Sequence, residues 1–166
     1  MALQITGTEA LWFLPFVLPI CFWVAWSDLS RMRIPNKAVL ALVGVFVAVG
    51  LLAIPLSDYP WRLLHLAVVL AAGIIANAAG LMGAGDAKFA AAAAPFIALG
   101  DVVLLCIIFT ASLLAAFATH RLAKHTALRR LAPDWESWSR GRDFPMGLAL
   151  AGTLAIYLGL GAAYGS

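Results

Sequence analysis

The sequence predicts an all-α, polytopic membrane protein with six transmembrane helices, on three observations. First, 64% of its 166 residues are hydrophobic and only 11% are charged, with a mean hydropathy of +0.97. A soluble domain of this size has too much surface relative to its core to hide that much apolar material. Second, apolar runs of about 20 residues recur along the chain, the length that crosses a ~30 Å hydrocarbon core. Third, the basic residues gather in the connections between those runs. That pattern sets membrane orientation and argues against nucleic-acid binding, as does the modest net charge of +3.

The first span is residues 11–26. Glu9 is the only charge before it, and no small-residue cleavage site follows it. It therefore reads as a membrane helix and not as a removable signal peptide. A polar link from Ser27 to Lys37 leads to the second span, 38–56. The turn around Pro60 precedes the third span, 63–82, and Gly83-Ala84-Gly85-Asp86-Ala87-Lys88 follows it.

Residues 87–118 are long for one helix and short for two. Pro95 and the turn-forming pair Gly100-Asp101 interrupt them. Charge decides the division. With spans at 87–99 and 102–119, ten of the eleven Lys and Arg residues share one side, and only Arg62 lies opposite. The positive-inside rule makes that side cytoplasmic. The sixth span is 145–164, and both termini fall outside. The whole chain, 1–166, reads as a single transmembrane domain. The fourth span reaches only ~20 Å as a helix, so either it tilts within a thinned bilayer or its start sinks below the surface, where it would line a wet cavity.

Orientation drawn from Lys and Arg alone puts Asp28 and Asp86 on the same, cytoplasmic side. Carboxylates at membrane depth are costly and usually functional. Two together can hold one proton between them: the ionised one activates water, and the protonated one donates to a carbonyl oxygen. Gly83 and Gly85 give the turn freedom and allow close approach of an extended substrate. Taken alone, Gly-x-Gly-Asp fits equally a helix C-cap followed by an Asp N-cap.

The combination is more specific. Asp28, then Ile34-Pro35-Asn36 opening the second helix, then Gly83-Ala84-Gly85-Asp86-Ala87-Lys88 opening the fourth, resembles the type IV prepilin peptidase family, the GxGD-type intramembrane aspartic peptidases. The compact form is similar to the short peptidases of tight-adherence (Flp-type) pilus systems. The resemblance implies that Asp28 and Asp86 are the catalytic pair in a bacterial inner membrane. It implies prepilin and pseudopilin substrates, with a basic leader in the cytoplasm and an apolar helix in the bilayer. Larger members carry a cytoplasmic domain with a cysteine tetrad, linked to pilin methylation. Here a short link joins the first two helices and no tetrad exists, so peptidase activity without methyltransferase activity is expected.

Supporting roles fall to Pro35 and Asn36, with Asn36 expected to cap the second helix, and to Lys88, which either touches substrate or snorkels. Asn77 is expected to bond to another helix. Phe144-Pro145-Met146-Gly147 is expected to start the last helix near the site. Cys21 and Cys106 read as small core residues. The basic loop with Trp135 and Trp138 reads as a tether to lipid head groups or a docking surface. No cofactor is needed and no metal-ligand spacing occurs. The competing class is a non-enzymatic protein, a proton-coupled transporter or membrane assembly subunit, in which carboxylates carry protons.

Overall fold

The computed structural model describes residues 3–140 and 143–165. Among the described residues six α-helices follow one another: α1 (Gly7–Arg31), α2 (Asn36–Ala53), α3 (Tyr59–Ala78), α4 (Ala84–Ala93), α5 (Val102–Lys124) and α6 (Met146–Tyr164). Short 3₁₀ turns occupy Ala94–Phe96 and Leu99–Asp101, and two more lie in the α5–α6 connection. The only β feature among the described residues is an isolated bridge between Leu3 and Gly165. The chain is thus an all-α polytopic membrane protein. Five of its helices are long and apolar enough to cross a bilayer.

The core lies where α1 meets α6 and α2. Phe13 stacks on Phe46, and Phe96 meets both edge-on. Tyr157 of α6 is fully buried beside them. Such aromatic pairs add about 0.5–1.5 kcal/mol beyond their burial. Outside this core, α3 packs on α4 and α5 packs on α6. Both α3 and α5 turn most of their surface outward, as expected of helices whose solvent is lipid.

At ten residues, α4 reaches only ~15 Å, too short to cross alone. The segment containing it nevertheless runs the length of the bundle. It begins at Asp86, beside the C-terminal end of α1. It finishes at Asp101, whose buried carboxylate accepts from the N–H groups of Gln4 (2.9 Å) and Ile5 (3.0 Å), just before α1 begins. The hydroxyl of Tyr157 donates to the same carboxylate at 2.9 Å and accepts from the Ala98 N–H at 3.1 Å. This pairs the backbone freed where α4 breaks down, as a buried irregular segment requires. Arg62 and Glu9 form an ion pair at 3.3 Å at the same end. Asp101, Arg62 and Glu9 therefore mark the end opposite Asp28.

The basic residues Arg31, Arg33, Lys37, Lys88, Arg121 and Lys124 mark the other end, which is called the basic end below. There the connection after α5 folds inward. Trp26 meets Trp135 edge-on, Trp135 stacks on Trp138, and Trp138 stacks on His120. The Trp138 indole N–H donates to the Ala132 carbonyl at 2.7 Å. The two loop tryptophans pack on the protein itself, Trp138 buried and Trp135 half-buried. Arg142, a basic residue of the same connection, lies outside the described residues. Cys21 is buried as expected, whereas Cys106, on α5, is exposed.

Candidate active site

Asp28 lies inside α1, not beyond its end, because the helix continues past the apolar run to Arg31. Met32 ends it in the left-handed conformation (φ 51°), with its N–H donating to the Asp28 carbonyl at 2.9 Å. A non-glycine residue at positive φ is uncommon and costs energy. It turns the chain at once toward α2. The Ser27 hydroxyl holds the turn by donating to the Arg33 carbonyl at 2.9 Å.

The Asp28 side chain points into the bundle and is only 6% exposed. Its Oδ2 accepts the Gly147 N–H at 2.6 Å. Gly147 is the second residue of α6, so this N–H is one of the donors that a helix start leaves unpaired. The positive end of the α6 dipole favours a carboxylate at that point. Only glycine fits. A Cβ at 147 would lie 2.9 Å from Asp28 Oδ2 and 3.0 Å from its Cγ.

Asp86 is delivered by two helix ends back to back. α3 stops in a Schellman motif: Gly80 is left-handed (φ 72°), Leu81 N–H bonds to Ala76 O, and Gly80 N–H bonds to Asn77 O. Asn77 donates to the Met82 carbonyl at 2.8 Å. The expected bond to another helix is replaced by this local one, which supports the turn. Gly83 is then the N-cap of α4. Asp86 is the third helical residue, not the N-cap that the motif alone allowed. Its carboxylate turns back to the Gly83 N–H, in the manner of a capping box. A Cβ on Gly83 would sit 2.6 Å from Asp86 Oδ2.

The α1–α2 link closes against this turn. A Cβ on Gly85 would meet the Ile34 Cβ at 3.4 Å, so the two backbones nearly touch. Pro35, not Asn36, holds the N-cap position of α2, and no side chain caps that helix. Asn36, the first helical residue, instead accepts from Lys88 Nζ at 3.3 Å. Lys88 is thereby tied across to the Ile34-Pro35-Asn36 segment. Asp28 and Asp86 converge at the basic end, near enough for the charge of Asp86 to act on Asp28.

Of the residues singled out in the sequence, Asp28, Asp86, Gly83, Gly85, Lys88, Pro35 and Asn36 all gather here. Asp58, on the turn before α3, and Asp101 lie away from them at the far end. Among the described residues, no three His, Cys, Asp or Glu side chains are grouped to hold a metal. Sequence reasoning placed Gly147 near the site but not its contact with Asp28. The signal was Pro-x-Gly at a helix start, which supplies free N–H groups and room for a side chain from elsewhere.

Fold and site together define a helical membrane protein with two carboxylates brought to one end of its bundle by different helices. The model of the type IV leader peptidase family matches residues 15–120, which include Asp28, Ile34-Pro35-Asn36 and Asp86. The chain belongs to that family, and so to the membrane peptidases. No curated protein and no solved structure gives a significant match.

Proposed function

We propose that the protein is an intramembrane aspartic endopeptidase that removes the leaders of Flp-type prepilins and pseudopilins. The observation that carries this reading is the convergence of Asp28 and Asp86, each held by one backbone N–H. Each aspartate keeps a second oxygen for chemistry. One ionised carboxylate takes a proton from water, and the water oxygen attacks the scissile carbonyl carbon. The other, protonated, gives its proton to the carbonyl oxygen. Collapse of the tetrahedral intermediate breaks the C–N bond: the leaving amine takes up the proton first removed from water, and the second aspartate takes back its proton from a hydroxyl of the intermediate as the C=O bond re-forms. The two protons balance without a cofactor or metal.

Gly83 and Gly85 keep side chains out of the way of an extended substrate. Lys88, Asn36 and Pro35 hold the α1–α2 link against the Asp86 turn. The basic end faces the cytoplasm of a bacterial inner membrane, by the positive-inside rule. The substrate leader then lies in the cytoplasm and its apolar helix in the bilayer. Between α1 and α2 only residues 32–35 intervene, too few for the extra domain linked to methylation, so trimming proceeds without methyl transfer. Purified protein mixed with a Flp-type prepilin, followed by mass spectrometry, tests this. One cut at the end of the basic leader with no methyl group added is the expected result. An intact prepilin after incubation with folded protein overturns it.

A further inference from the structure

An apolar groove of about 600 Å³ opens between α3 and α5. Its floor is α4, with Leu150 and Leu154 of α6 behind. No charged side chain lines it. Ala90 and Ala93 of the floor continue the face of α4 that begins with Asp86, at spacings of four and three residues, as one side of a helix requires, and Ile97 extends the floor beyond the 3₁₀ turn that follows. At the other end of α3, Met82 closes the groove one residue before Gly83. The groove thus begins within a few residues of Asp86 along the chain, although neither aspartate lines it, and runs along α4 toward Asp101.

We propose that this groove docks the apolar helix of the substrate, the part that follows the scissile bond. The inference rests on the peptidase reading above and names where that substrate lies. The dimensions suit a helix. A helix is a cylinder of ~10 Å diameter that rises ~5.4 Å per turn. The floor from Phe89 to Ile97 covers ~12 Å at 1.5 Å per residue. The alanines let another helix approach closely, which is how helices associate where lipid removes the hydrophobic drive. The polarity also suits it: the leader stays at the basic end, and the apolar helix leaves along α4 toward Asp101.

Cys106 provides the test, since it lines the groove and is exposed, while Cys21 is buried. The Asp86→Asn protein is co-expressed with a Flp-type prepilin carrying one cysteine at successive positions of its apolar helix, and disulfides are formed by oxidation. Wild-type cleavage of each prepilin is measured separately. The expected result is cross-linking that peaks about ten to twelve residues past the scissile bond, from the 1.5 Å rise per residue. It repeats every three to four positions and is lost in Cys106→Ser. Moving the thiol to α1, which does not line the groove, as Cys106→Ser with Phe22→Cys, gives no such peak. Absent or position-independent cross-linking, with cleavage intact, means that lipid fills the groove and overturns the docking proposal alone. A positional peak without any wild-type cleavage supports docking and overturns the peptidase reading instead.

Discussion

Replacing Gly147 with alanine tests the anchor of Asp28 directly. The added Cβ would lie 2.9 Å from Oδ2 and 3.0 Å from the Asp28 Cβ and Cγ. None of these neighbours is the free end of a long side chain, so either Asp28 rotates or α6 shifts. Both outcomes break the 2.6 Å bond from the Gly147 N–H. A hydrogen bond to a charged group is worth about 1.5–3 kcal/mol. If that amount is lost from the orientation of the reacting carboxylate, the cleavage rate falls about ten- to a hundredfold, at 1.36 kcal/mol per tenfold. The overpacking itself costs about 1–3 kcal/mol of stability. Initial rates of prepilin cleavage in proteoliposomes, with the folded fraction measured alongside, separate the two. The account predicts a fall in kcat with little change in KM, because the substrate helix does not touch residue 147. A folded Gly147→Ala protein that cuts at the wild-type rate refutes the anchoring role.

Three further outcomes follow from the same contacts. Gly83→Ala puts a Cβ 2.6 Å from Asp86 Oδ2, whereas Gly85→Ala makes an ordinary 3.4 Å contact with Ile34; cleavage by the first falls at least about tenfold below the second, and equal rates contradict the geometry. Tyr157→Phe removes the hydroxyl shared by Asp101 and the Ala98 N–H. It lowers stability by about 1–3 kcal/mol while leaving cleavage per folded molecule unchanged, as thermal melts and rates together check. Lys88→Ala and Asn36→Ala remove the two halves of one bond, so their effects on cleavage are alike and the double variant adds little; additive losses mean that the two residues act separately.

Helix number and order, and the shared end of Asp28 and Asp86, were legible because hydrophobic run length and charge placement answer to the bilayer alone. A short fourth helix was expected, but the span read as 87–99 is α4 at Ala84–Ala93, and Pro95 lies in a 3₁₀ turn beyond it. Details set by neighbours were not. Asn36 has the chemistry of an N-cap, yet Lys88, 52 residues away, takes its carbonyl. Asn77 looks like a bond between helices but serves a turn five residues on. Trp135 and Trp138 have the composition of a lipid tether, and only the structure shows the stack that joins them to Trp26 and His120. The Gly147 contact joins residues 119 positions apart, and no local pattern reports such a pairing.

The central claim is that two carboxylates, from α1 and from the start of α4, act as one unit. The direct measurement compares prepilin cleavage by wild type, Asp28→Asn and Asp86→Asn at matched folded concentrations. These substitutions keep side-chain shape and remove the charge. The account predicts cleavage by wild type and none by either variant. Cleavage by either variant at a rate near that of wild type contradicts it.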